Sequence, residues 1–226
     1  MQIPAIDADL VRLSAAVYER PWSAAARAVA KVGWEIQDVF DHAGAEAMLC
    51  DGPEAAALIF RGTEASRAHI GDLVANLGRP TRWAGQGWAH SGYARHLERV
   101  RFEARMMAAK ASRRKPFYVA GHSKGGAMAL LYAAWVRADR RWGHAVEAAV
   151  TFGAPRVLSR RAARYARPCR QYVIRLDFAQ WWPPSCALRH PGPVVHLPSP
   201  IWWPGPVSRH GVGRYVEVVG GRNDSA

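Results

Sequence analysis

The chain has 226 residues, half of them hydrophobic, with 31 Lys and Arg against 18 Asp and Glu for a formal charge of +13. This length suits one sizeable core, so a single domain over 1–226 is expected, and the apolar content excludes a chain disordered throughout. No apolar run approaches the roughly 18–20 residues of a membrane span, and the three cysteines (Cys50, Cys169, Cys186) lack the spacing of a zinc site or a disulfide framework.

Apolar residues at Leu10, Leu13, Val17 and Tyr18 give Asp7 to Glu19 a helical spacing. Asp7, Asp9 and Arg12 interrupt any apolar core there, so the segment does not read as a secretory signal. The expectation is a cytoplasmic protein, or one released without a recognisable signal peptide. Two short apolar runs, Ala45 to Cys50 and Ala55 to Phe60, flank Asp51-Gly52-Pro53 and read as strands joined by a turn. A helix is expected after Thr63, with Ile70, Leu73, Val74 and Leu77 on one face and Gly78 and Pro80 ending it. A longer one follows over about Gly92 to Ala111, with Leu97, Val100, Ala104 and Met107 inward.

Phe117 to Ala120 is a short apolar strand that leads through Gly121-His122-Ser123-Lys124-Gly125-Gly126 into a helix-forming stretch, Ala127 to Val136. Ala148 to Phe152 reads as another buried strand, Val157 to Arg167 as a helix, and Gln171 to Leu176 as a strand ending at Asp177. Strands alternating with helices predict an α/β fold, a mainly parallel central sheet with helices on both faces. From Trp181 to Pro206 the chain holds eight of its 15 prolines and four of its 10 tryptophans, too apolar for a solvated linker. Val207 to Val219 then resumes a helix or strand.

Gly121-His122-Ser123-Lys124-Gly125 matches G-x-S-x-G in the context such a motif needs, a strand before and a small-residue helix after. Glycine on both sides allows the sharp turn that lifts a serine hydroxyl above the sheet edge, and the helix start points amide groups at the same place. Ser123 is therefore the candidate nucleophile. A serine needs a base and an acid to orient that base, which follow in the order serine, acid, histidine. Asp177 ends a strand at the carboxyl edge, whereas Asp139 and Glu147 fit capping or solvated roles. Of His190, His196 and His210, chain order favours His210, and His196 looks like a strand residue.

Several blocks together resemble the class 3 lipases, the family of fungal triacylglycerol lipases and feruloyl esterases. Phe60-Arg61-Gly62-Thr63 resembles F-R-G-[ST], and His90-Ser91-Gly92-Tyr93 is similar to V-H-x-G-F. Gly121 to Gly126 resembles G-H-S-L-G-G with Lys124 in place of leucine, and Thr151 to Val157 is similar to T-F-G-x-P-R-V. Asp177 with Pro183-Pro184 resembles D-x-V-P-x-L-P-P, and His210 with Tyr215 resembles H-x-x-Y with two residues more between them.

The resemblance implies an α/β-hydrolase fold and a Ser123–Asp177–His210 triad that cleaves lipid esters, acylglycerol or phospholipid. It also implies an oxyanion hole from the amides of Thr63 and Lys124, and no metal or organic cofactor. A soluble short-chain or aryl esterase is the enzyme alternative, and a non-catalytic hydrolase-fold binding protein is the third. Arg61 reads as structural, a partner for Asp72. The segment Ala65 to Leu77 is either a mobile lid or a fixed helix. Lys124 either favours anionic substrates or points to solvent. Trp83 and Trp88 flank the region of Ala65 to Leu77, and Trp181, Trp182, Trp202 and Trp203 suit an acyl pocket, a membrane interface or core filling. The basic charge fits a solvated surface, an anionic membrane or lipid surface, or nucleic acid, the last without a supporting motif.

Overall fold

Alternation along the strands sorts the core into two layers. In the strand Ala56–Phe60 (β3), Ala56, Leu58 and Phe60 face one cluster and Ala57 and Ile59 the other. Phe117–His122 (β6) repeats this, with Phe117 and Val119 on the first face and Ala120 on the second. Strands buried on both faces are what a sheet covered by helices on each side requires. The computed structural model describes residues 2–42, 45–63, 79–111, 115–139, 146–184, 186–199 and 205–223.

The remaining strands are Glu35–His42 (β1), Ala45–Asp51 (β2), Pro80–Arg82 (β4), Trp88–His90 (β5), Val146–Phe152 (β7), Cys169–Ile174 (β8) and Val194–Leu197 (β9). Seven form one sheet in the order β1-β2-β3-β6-β7-β8-β9, antiparallel from β1 to β3 and parallel from β3 to β9. β4 and β5 make a separate hairpin. The helices are Ala5–Ala16 (α1), Trp22–Ala30 (α2), Ser91–Lys110 (α3), Lys124–Ala138 (α4), Pro206–Arg209 (α5) and Val212–Val219 (α6).

α3 and α4 cover one face of the sheet. α3 is amphipathic and buries Leu97, Val100, Ala104 and Met107, as the spacing predicts. α4 is apolar on nearly every side and buried along almost its whole length, the pattern of a helix inside a core. On the other face α1 sends Leu10, Leu13 and Val17 inward and packs beside Tyr215 and Val219 of α6. Polar ties to distant segments anchor α1. Arg12 donates to the Gly220 carbonyl at 2.5 Å, and the buried Asp7 accepts two bonds from Arg170 and one from the Tyr172 hydroxyl, each 2.6 Å. A carboxylate with no exposure is costly to bury without such donors.

One expectation changes. Val157 to Arg167 is not a helix: Leu158 bridges Ala89 and Arg189 in extended conformation, and only Ala162–Ala166 coils, as a 3₁₀ turn. Backbone pairing to two partners outweighs the helical spacing there. Arg61 pairs at 2.6 Å with Glu46, because β2 lies directly beside β3, and the expected partner Asp72 falls outside the described residues. The segment Ala65 to Leu77, together with Asp72, Trp202 and Trp203, lies outside the described residues. Among the described residues no helix is long and apolar enough to cross a membrane.

Candidate active site

Ser123 joins β6 to α4 at φ 57 and ψ −124, a left-handed conformation that costs an L-residue about 1–2 kcal/mol. Its neighbours show why the turn needs glycine. A Cβ on Gly121 would stand 2.5 Å from the Gly125 carbonyl carbon and 2.7 Å from the Phe60 carbonyl oxygen, and one on Gly125 would overlap Phe60 O. The clashes are with backbone, so α4 starts against the end of β3 only with those side chains absent. The Ser123 amide donates to Phe152 O at 2.9 Å, which fixes the elbow to β7.

Asp177 follows β8 through a tight turn: its amide donates to Ile174 O at 2.9 Å while Leu176 takes φ 68. His210 sits between α5 and α6. The structure brings the three side chains into one line, with His210 Nε2 at 2.7 Å from Ser123 Oγ. On the other edge of the ring, His210 Nδ1 lies 2.9 Å and 3.0 Å from the Asp177 oxygens. Their exposures are 3% for Ser123, 5% for His210 and none for Asp177, so water competes little for these bonds.

Burial alone would raise the pKa of Asp177. The electrostatic pull and hydrogen bond of His210, the hydrogen bond from Tyr215, and the Ala179 amide together overcome that and hold it below the usual range. Tyr215 Oη donates to Asp177 Oδ2 at 2.5 Å and Ala179 N to Oδ1 at 2.8 Å. An ionised Asp177 accepts the proton on Nδ1, which leaves Nε2 as acceptor for the serine hydroxyl. Burial and the Asp177 charge raise Tyr215 far above its ordinary pKa, so it remains a donor. Gly211, after His210, caps α6, and across the longer spacing the Tyr215 hydroxyl reaches the acid.

Sequence reading had no role for three further residues. Tyr18 Oη lies 3.0 Å from His122 Nδ1, and His122 Nε2 lies 2.6 Å from the His210 carbonyl oxygen. A carbonyl only accepts, so Nε2 carries the proton and the tyrosine donates to Nδ1. Burial, and the nearby His210, lower His122 to about 3, so it is neutral at ordinary pH. Gly153, at φ 59, is the third: a Cβ there would meet Asp177, Tyr215 and His210 at once. Only the glycine in Thr151-Phe152-Gly153 hinted at it, and nothing near Tyr18 in sequence points 104 residues ahead.

The Arg61–Thr63 segment passes directly over this network. A Cβ on Gly62 would overlap Tyr18 Oη and stand 2.6 Å from His122 O, so the chain lies against the end of β6. Thr63 is the next residue, and Lys124 opens α4, whose first-turn amides have no partner within the helix. Burial, and then Arg61, lower the pKa of the Lys124 ammonium. The other two histidines lie outside the line: His196 is on β9 and exposed, and His190 contacts Gln171 and Gln180 at 3.2 Å. Trp83 is core, whereas Trp88 and Trp181 are 47% and 49% exposed.

A mostly parallel sheet whose carboxyl edge carries a serine elbow, an acid loop and a late histidine is the α/β-hydrolase fold. The model of the class 3 lipases matches residues 57–177, and the chain belongs to that family. Membership places it among carboxylic-ester hydrolases. The native propeptide complex of Rhizomucor miehei lipase is similar at a TM-score of 0.72 and 24% identity, over 85% of this chain and 67% of that one. Lipase II of Rhizopus niveus is similar at 0.69 and 22%, over 85% and 79%. The nonglycosylated Yarrowia lipolytica LIP2 lipase is similar at 0.69 and 18%, over 90% and 81%. No curated protein sequence matches the chain.

Proposed function

We propose that the protein is a serine hydrolase that cleaves lipid esters, acylglycerol or phospholipid, through an acyl-enzyme on Ser123. The observation that carries this is the buried line of hydrogen bonds from Asp177 through His210 to Ser123 Oγ. Ser123 attacks the ester carbonyl as His210 Nε2 takes its proton, and Asp177 holds the ring and offsets the charge that forms on it. The amides of Thr63 and Lys124 receive the oxyanion, where fixed dipoles in a water-poor site act most strongly. His210 then returns the proton to the leaving alcohol and activates the water that releases the acid.

A lipid substrate is supported by an apolar rim. Leu176, Trp181 and Val207, on the loops that carry Asp177 and His210, are 45%, 49% and 49% exposed. Leu176 and Trp181 also line a hollow of about 620 Å³ with Arg175, Gln180, His196, Leu197 and Pro198. A long acyl chain leaving water gains about 0.8 kcal/mol per buried methylene on such a surface.

Ser123→Ala should abolish labelling by a fluorophosphonate probe, and labelling that persists at another residue refutes the nucleophile. For the substrate, rate is followed as an acylglycerol ester passes its solubility limit. A jump supports the lipid reading, and smooth saturation through the limit points to the soluble short-chain or aryl esterase.

A further inference from the structure

A second cationic place on the molecule lies outside the serine site. The β4–β5 hairpin, together with the stretch after Ser159, encloses a hollow of about 260 Å³ lined by Arg82, Gly85, Gly87, Trp88 and Arg161. Arg82 holds its guanidinium 5.8 Å from the Trp88 ring centroid, and the indole itself is 47% exposed. Among the described residues neither Arg82 nor Arg161 pairs with a carboxylate, although other arginines such as Arg61 and Arg170 do. Among the described residues no acidic side chain lines the hollow. Two unneutralised guanidiniums beside an open aromatic face make a local excess of positive potential that an anion relieves.

The frame around these side chains is fixed rather than loose. Trp88 N donates to Ser159 Oγ at 3.0 Å, Ser159 N to Trp88 O at 2.8 Å, and His90 N to Val157 O at 2.9 Å. Gly87, at φ 132, lets the hairpin approach so closely that a Cβ there would stand 2.7 Å from Ser159 Oγ. At the hairpin end, Gln86 N donates to Trp83 O at 2.8 Å across Ala84 and Gly85, both at positive φ. The stretch bearing Arg161 and the hairpin bearing Arg82 and Trp88 are thus held in register, so little ordering is left to do on binding. Arg forks match phosphate oxygens two at a time, and an exposed tryptophan is suited to the boundary between headgroups and acyl chains.

We propose that the Arg82–Trp88–Arg161 hollow binds the phosphate of an anionic phospholipid headgroup and so holds the protein on an anionic lipid surface. The choice of a lipid source rests on the lipid-ester reading above; the binding itself does not need catalysis. The test uses Ser123→Ala protein, so that vesicles are not consumed, and measures co-sedimentation with phosphatidylcholine vesicles with and without phosphatidic acid. Preference for the acidic vesicles should fall roughly fivefold for each arginine lost in Arg82→Gln/Arg161→Gln, as for a basic side chain near a charged membrane. Arg27→Gln/Lys31→Gln, which removes the same charge from the exposed side of α2, should leave it intact.

Equal loss in both pairs, or loss in neither, overturns the site in favour of diffuse charge or none. Saturable binding of inorganic phosphate through Arg82 and Arg161, without vesicle preference, overturns the lipid source. Each pair is also made with Ser123 intact and checked for unchanged p-nitrophenyl butyrate hydrolysis. If the double variant does not fold, Arg161→Gln alone, at an exposed position, should show the fivefold effect. A protein that binds these vesicles but hydrolyses no lipid ester refutes the proposed substrate and leaves the headgroup site standing.

Discussion

Replacing Gly153 by alanine tests the geometry of the acid–base line without removing any of its functional groups. A Cβ at this position would stand 2.9 Å from Asp177 Oδ2, 2.9 Å from Tyr215 Oη and 3.1 Å from His210 Nδ1, whereas ordinary contact begins at 3.4 Å. The three atoms must therefore retreat by roughly 0.3–0.5 Å, enough to lose much of a close contact's attraction and to lengthen two hydrogen bonds. At φ 59 the alanine also adopts a left-handed backbone at a cost of about 1–2 kcal/mol. For a chain of this size that lowers Tm by roughly 2–8 °C. A misplacement of about 1 Å at a reacting centre costs on the order of a hundredfold, so half of that predicts about a tenfold fall in kcat. KM should barely move, because Gly153 contacts the proton-relay groups and not the acyl rim. The assay is p-nitrophenyl butyrate hydrolysis, normalised to sites titrated with a fluorophosphonate so that unfolded protein is not counted. A kcat within twofold of wild type refutes the assigned line.

Tyr215→Phe removes a bond that favours the charged form of Asp177, so the carboxyl pKa rises and the acid limb of kcat/KM moves to higher pH. On the plateau the loss should be about tenfold, the weight of one hydrogen bond to a charged group, and an unmoved acid limb counts against the role. His122 titrates near 3 in the folded chain and near 6.5 when unfolded, so the unfolded state binds the extra proton between those values. Stability is therefore lost as pH falls through that window, by about 2 kcal/mol from pH 7 to pH 5. Urea midpoints at the two pH values should show this, and the difference should shrink in His122→Asn. Lys124→Leu should leave labelling of Ser123 intact and lower the preference for anionic over neutral esters, and equal ratios in the two proteins refute an electrostatic role for Lys124.

Much of the site was legible because its main parts are local backbone devices. The Gly121–Gly126 run, Thr151–Val157 and the end of β8 each need particular small or acidic residues at fixed spacing, and those needs are written in consecutive positions. The helical period of α3 was equally plain, since Leu97, Val100, Ala104 and Met107 form one stripe. β1 and α2 escaped notice: β1 is an edge strand with a bulge between Ile36 and Asp38, which breaks its alternation, and α2 is a short helix that buries only Ala25 and Val29. Tyr18 and His122 were illegible for a different reason. Their contact crosses 104 residues and depends on how α1 lies beneath the end of β6, a matter of tertiary packing that no local pattern encodes.

The ties of α1 also govern how the molecule assembles during synthesis. Some partners of α1 lie far along the chain: Arg170 is 163 residues beyond Asp7 and Gly220 is 208 residues beyond Arg12. Until those segments leave the ribosome, Leu10, Leu13 and Val17 have no α6 to pack against, and Asp7 has no guanidinium. Contacts of such long separation close slowly, because the chain must give up its loop entropy before they reward it. Until they close, part of the apolar face of α1 stays exposed, the state on which chaperones act and from which aggregation starts.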